Sequence, residues 1–379
     1  MGHFMKRVLI LSQPLHNNYG GLLQAFALQK VVKSLGFEVV TNKKKLQEKP
    51  KITVKKVIRY GIYLAKRIVK TILGYKFLTE QQYKIVAQNT TKFVNKFIDN
   101  QCIKYLSEKE IDKFDIFVVG SDQVFRKRWS NVTKYFLEDL KDRNDKIKFT
   151  YAASFGTDDL SEWTPDEVEI CKTLAPKFKA VSVREDSGVE LFKEYFNIKA
   201  EHVLDPTLLL EKDDYLKTID EEDFAIRHNV LMCYVLDKSP EKTQIINTIK
   251  EKLNLQPLEV MQVEALTLET KDITKCIYPS VSKWLSGFRD ASFVVTDSFH
   301  GTVFSIIFNK PFICIGNQMR GLSRFTSLLK IFGLEDRLIF SPEDFSEKLL
   351  GSIDYQRVNA IKQEWQEKSI NFLKDNLTK

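Results

Sequence analysis

Residues 291–316 run Ala-Ser-Phe-Val-Val-Thr-Asp-Ser-Phe-His-Gly-Thr-Val-Phe-Ser-Ile-Ile-Phe-Asn-Lys-Pro-Phe-Ile-Cys-Ile-Gly. In one pass this spells an apolar strand, a polar elbow, a short helix and a second apolar strand. Strands joined through a helix run parallel, and a parallel sheet needs both faces covered, so the stretch commits its region to an α/β layer architecture. In such sheets ligands bind beyond the carboxyl ends of the strands, where Asp297-Ser-Phe-His-Gly301 falls. His300 is therefore the leading catalytic candidate, since an imidazole gives and takes protons near neutrality. Asp297 or Ser298 can cap the helix that follows, and Gly301 permits a tight turn with amides turned toward an anion. A capping turn whose histidine only bonds a neighbouring carbonyl would carry the same residues.

The alternation recurs along the chain. Residues 6–12 read as a buried strand, 21–35 as a helix stopped by Gly36, and 37–41 as a second strand, a βαβ opening. Further strands are expected near 114–119, 148–153, 180–183 and 202–204, and again at 229–236, near 259, at 291–296 and at 312–315. The fold class read from this pattern is α/β, with two domains of mostly parallel sheet. The expected division is an N-terminal domain over 1–210, a second over 211–350, and a C-terminal helix within 351–379 that returns to the first. A basic helical region at about 43–100 interrupts the first domain.

At 379 residues the chain suits two such domains with a cleft between them. No run approaches the roughly 20 apolar residues of a membrane-spanning helix, and the short apolar run after Lys6-Arg7 reads as the first strand and not as a signal peptide. The five cysteines are odd in number and form no C-x-x-C pair, and the histidines show no metal-ligand spacing. The expectation is a cytoplasmic protein with neither disulfides, metal nor bound cofactor. The net charge of +8 is local: residues 43–76 hold twelve lysines and arginines against Glu48 as the one acid, leaving the remainder net acidic. General nucleic-acid binding is therefore not indicated. The same segment intersperses Val54, Ile58, Ile62, Ile68 and Leu73 among its lysines, which suits a helix on an anionic membrane surface and equally a helix packed on its own domain.

Three other loops follow strands. Asn18-Tyr-Gly-Gly21 lacks the full dinucleotide fingerprint but lets backbone approach a ligand, or only packs its helix. Gly120-Ser-Asp-Gln123 offers Asp122 to a ligand or to cap a helix, and Asp205-Pro-Thr207 reads as a domain-closing turn.

Taken with Ala180-Val-Ser-Val-Arg-Glu-Asp-Ser187, Thr296-Asp-Ser-Phe-His-Gly-Thr302 and Ser323-Arg-Phe325, these motifs in this order resemble the polysaccharide pyruvyl transferase family. The resemblance implies two Rossmann-like domains in a GT-B-like arrangement around a cleft that takes the donor, with 211–350 as the donor domain. It implies transfer of pyruvate from phosphoenolpyruvate to sugar hydroxyls of a surface polysaccharide or its lipid-linked precursor, as a cyclic ketal, with peripheral membrane contact a natural corollary. His300 matches the family's general acid/base and Arg184 a ligand for the donor's anionic groups. Ser298 stands where some members carry an arginine, so Arg320 and Arg324, with the helix amides at Gly301, are candidates to supply the missing positive charge. Asn18, Tyr19 and Asp122 are assigned to the acceptor. The rivals are a GT-B glycosyltransferase using a nucleotide sugar, and a non-catalytic partner of a polysaccharide assembly complex.

Overall fold

A computed structural model describes residues 5–48, 78–316 and 321–378. Two five-stranded sheets, parallel at every pairing, carry the architecture. In the first the spatial order is β3-β2-β1-β4-β5, with β1 Arg7–Leu11, β2 Glu38–Asn42, β3 Asn100–Gln101, β4 Ile116–Val119 and β5 Ile147–Thr150. Isolated bridges Phe149–Ala180 and Ala153–Val183 extend it to β6 Ser182–Val183, which pairs with β7 Glu201–His202. In the second sheet the order is β12-β11-β10-β8-β9, from β8 Val230–Tyr234, β9 Gln256–Glu259, β10 Ala291–Thr296, β11 Phe312–Ile315 and β12 Leu338–Ile339.

The central strands are near-continuous apolar runs because helices cover both faces: every residue of Ile116–Val119 and Val230–Tyr234 is buried. The Tyr19–Ser34 helix buries twelve of its sixteen residues against β1 and the second half of the molecule, far more than a surface amphipath would. It ends where predicted, with Gly36 at φ +89 turning the chain back toward β2. The Tyr355–Thr378 helix begins on the second half, where the Tyr355 hydroxyl bonds the Lys310 carbonyl. It finishes on the first, with Phe372 against Phe149 and Tyr151 and Ser369 Oγ accepting the Leu204 amide at 3.0 Å. Of the basic region, 49–77 lies outside the described residues; beyond it come helices Glu80–Val86 and Gln88–Phe97. Among the described residues no helix is long and apolar enough to cross a membrane.

Each sheet has one topological switch point. The chain leaves β1 for β2 on one side and returns to β4 on the other; in the second sheet it leaves β8 for β9 and returns to β10. Crevices open at the carboxyl ends of such strand pairs. Here the loops after β1, β4, β8 and β10 converge on one cavity of about 370 Å3, lined by Asn18, Asp122, Leu236 and His300 among others. That is the lower end of the volumes small-molecule sites occupy.

Candidate active site

The elbow after β10 is built by hydrogen bonds that leave little freedom. Thr296 Oγ1 donates to the Tyr234 carbonyl at 2.7 Å and accepts the Ser298 amide at 3.1 Å. A Cβ on Gly301 would stand 2.0 Å from that same Oγ1, so only glycine fits. Asp297, fully buried, accepts the amides of Leu236 at 2.7 Å and Asp237 at 3.1 Å and the Lys242 ammonium at 2.6 Å, tying the ends of β10 and β8 together. Ser298 is the cap of the Phe299–Ile307 helix, its hydroxyl accepting the Gly301 amide, and it lines the cavity. Gly301 does not line it: its N–H is turned inward to the capping hydroxyl, which corrects the expectation that this amide meets the donor.

His300, the first turn's second residue, projects across the gap onto the first half of the molecule. It is 6% exposed and lines the cavity. Its Nε2 stands 3.6 Å from Asp205 Oδ2 and makes no hydrogen bond, while its ring lies against Gly20, where a Cβ would come within 2.0 Å of Nδ1. The glycine at the start of the Tyr19–Ser34 helix is thus the seat of the imidazole. Asp205 is the counter-charge. Its Oδ1 accepts the Thr207 amide and hydroxyl at 3.1 and 2.7 Å; its Oδ2 accepts Arg184 Nη1 at 2.8 Å and the Gln24 amide. Burial pushes the Asp205 carboxyl up, but His300, Arg184 and Thr207 together outweigh it and hold the group well below the usual carboxylate range. The sequence pattern reads this residue as a domain-closing turn; the turn exists, with Asp205 capping Pro206–Leu209, but its other oxygen faces the His300 imidazole.

Arg184 is placed differently from its expected role as a donor ligand. Its side chain has no exposed surface, and its fork is spent on Asp205 at 2.8 Å and Asp122 at 3.0 Å, with Glu185 at 3.9 Å. It lies beneath the cavity and fixes the two carboxylates, because an arginine at the buried end of β6 must be neutralised where it stands. Asp122 does line the cavity, at φ +73 on the loop after β4. Burial raises its carboxyl, and Arg184, His300, Arg324 and the Gln123 amide overcome that and lower it.

A cation that does line the cavity is Arg324, on the Ser323–Phe332 helix and 6% exposed. Its guanidinium lies 5.4 Å from the Phe299 ring, whose centre is also 4.8 Å from Arg184. Burial first, then the nearby Arg184 charge, push it down to about 10, so this pocket holds a positive charge at a cost an anion would relieve. Arg126 and Lys45 also line the cavity, the former bonded to Glu162 and Gln123. Arg320 lies outside the described residues. Asn18 lines the cavity and caps its helix, accepting the Gly21 amide at 3.3 Å. Tyr19 does not line it: the ring stacks on Trp284 at 5.7 Å and its hydroxyl donates to the Pro279 carbonyl at 2.8 Å, so it pins the two halves together and touches no acceptor. Among the described residues no group of three or more His, Cys, Asp or Glu is placed to hold a metal ion.

Comparison with solved structures confirms the fold. The chain superposes on a glycosyltransferase from Rickettsia africae at a TM-score of 0.51 and 10% identity, covering 97% of this chain and 94% of that one. It superposes equally, at 0.51 and 10% identity over 98% and 95%, on a protein described as a UDP-N-acetylglucosamine 2-epimerase from Listeria monocytogenes. Both share the GT-B-like pairing of two Rossmann-like domains. No curated protein sequence matches the chain. The family model for polysaccharide pyruvyl transferase matches residues 18–319, which takes in Asn18, Gly20, Asp122, Arg184, Asp205 and the His300 elbow. With the greater part of its length matched, and with that match holding Asn18, Asp122 and His300 of the cavity wall, the chain belongs to the polysaccharide pyruvyl transferase family.

Proposed function

We propose that the protein transfers pyruvate from phosphoenolpyruvate to two hydroxyls of one sugar residue in a surface polysaccharide or its lipid-linked precursor, forming a cyclic ketal. The observation that carries this reading is His300 held between Gly20 and Asp205 on a cavity whose wall includes the buried Arg324. Protonated His300 gives its proton to the donor's methylene carbon, which becomes a methyl group, and positive character develops at the carbon bearing the phosphate oxygen. One sugar hydroxyl attacks that carbon, the C–O bond to phosphate breaks, and the second hydroxyl closes the ring. Of the two hydroxyl protons, one restores His300 and the other leaves with phosphate, so no further reactant is needed.

Asp205 supports this step as a fixed negative charge beside an imidazole that must cycle through its charged form. With Nε2 turned to Asp205, the proton exchanged with the donor sits on Nδ1. Arg324, Arg126 and the capped start of the Phe299–Ile307 helix offer the positive field that a carboxylate and a phosphate require. The acceptor enters from the side of Asn18 and Asp122. The chemistry calls for phosphoenolpyruvate as donor and for no metal or bound cofactor. A lipid-linked acceptor would bring the basic segment 43–76 to an anionic membrane at its cytoplasmic face.

The test is phosphate release from phosphoenolpyruvate with galactosides, mannosides and N-acetylated sugars as acceptors. Sugar-dependent release, with a thermal shift produced by phosphoenolpyruvate and none by a nucleotide sugar, is the expected result. Stabilisation by a nucleotide sugar with no phosphate release would give the site to glycosyl transfer instead.

A further inference from the structure

Of the chain's four tryptophans, Trp163 and Trp284 are buried and Trp365 is half-buried, but Trp129 is 47% exposed. It is exposed at the mouth of the His300 cavity, of which it forms part of the wall. Leaving an indole in water forgoes the largest apolar burial any side chain offers, so a conformation that holds one there invites an occupant. The backbone that carries it is pinned. The Trp129 amide donates to the Arg126 carbonyl at 3.0 Å, as does the amide of Ser130, and the Arg128 guanidinium lies over the indole at 5.2 Å. Behind it, Gln13 bonds both Ser130 Oγ at 2.6 Å and the Gln123 carbonyl at 2.9 Å, fastening this loop to the one after β1.

The cavity is therefore two-sided. His300, Ser298, Phe299 and Arg324 come from the second half; Trp129, Asn18, Gln13, Gln123 and Asp122 come from the first. The first set carries the proton donor and a buried cation. The second combines a flat apolar ring with amide and carboxylate groups, the chemistry that matches a pyranose, whose ring C–H groups form an apolar face edged by hydroxyls. The geometry points to Trp129 as the platform on which the acceptor's pyranose ring stacks, so that its face presents two neighbouring hydroxyls toward His300. This deepens the function proposed above and rests on it for the identity of the reaction, but not for the binding of the sugar.

Binding and turnover separate the two. Saturation-transfer NMR titrations with methyl β-D-galactopyranoside, methyl α-D-mannopyranoside and methyl N-acetyl-β-D-glucosaminide should show at least one ring binding the wild-type protein. Sorbitol, an open chain without a ring face, should not bind. Trp129→Ala should weaken that binding about tenfold or more, Trp129→Tyr should keep it within about threefold, and the thermal shift given by phosphoenolpyruvate should be unchanged in both. In phosphate release, Trp129→Ala should raise the KM for the sugar without altering that for phosphoenolpyruvate. The proposal is overturned if Trp129→Ala binds the glycosides as wild type does, or if no glycoside of the three binds wild type. It is equally overturned if the substitution abolishes sedimentation with phosphatidylglycerol vesicles and leaves glycoside binding intact. If wild type releases no phosphate with any sugar, yet Trp129→Ala loses glycoside binding, ketal transfer falls and the platform stands.

Discussion

The pairing of His300 with Asp205 sets expectations that can be checked one side chain at a time. His300→Ala should abolish phosphate release while leaving the phosphoenolpyruvate-induced thermal shift near that of wild type, because the donor's anionic groups are held by other side chains; a variant that turns over near the normal rate would remove His300 from the chemistry. Asp205→Asn keeps the shape but removes the charge, and should lower kcat roughly 10- to 100-fold with little change in KM for the donor. Arg324→Met should weaken donor binding at least about tenfold. His300 was legible in the sequence because a histidine after an apolar strand and before a glycine is a local signal. Asp205 beside it was not, since its neighbours His300 and Arg184 are brought to it only by folding. Arg184 misled for the same reason: a strand-end arginine reads as an anion ligand until its carboxylate partners are seen to enclose it.

Among the elements, the long apolar runs of β1, β4, β8, β10 and β11 were plain from sequence, whereas β3 and β12, two residues each, carry no periodicity that could announce them. The helix Tyr19–Ser34 was predicted two residues short at its start, and those two residues matter. Tyr19 and Gly20 are where the helix meets the second half, one stacked on Trp284 and the other against the imidazole. Nothing in the local pattern distinguishes such a contact from an ordinary first turn. Gly20→Ala is accordingly a sharp test of this placement: a methyl group has good helix propensity but would stand within 2.7 Å of three atoms of the His300 ring. Circular dichroism should be unchanged, and phosphate release should fall at least about a hundredfold as the ring is displaced. An alanine variant with wild-type kcat would show that the imidazole reacts from another position.

At the scale of the whole molecule, the two sheets are joined by an ionic cluster, by the Tyr19–Trp284 stack and by the Tyr355–Thr378 helix that rests on both. The ionic cluster gives the fold a pH signature. Asp205 and Asp122 are held below the ordinary carboxylate range, so their contribution to stability is fully present above about pH 4 and is lost as pH falls through their depressed folded values. Urea unfolding should show stability level in this respect from pH 7 to about 4.5 and declining below, and Asp122→Asn should flatten the decline. The two-domain plan was legible in the sequence, being written in repeated local patterns, but which surfaces of the two domains would touch was not. His300 sits on one nucleotide-fold unit and its negative companion, with the glycine that seats it, on the other. Exchanging either unit for a foreign one would part His300 from Asp205 and Gly20, so on the proposed function neither unit should work when grafted alone.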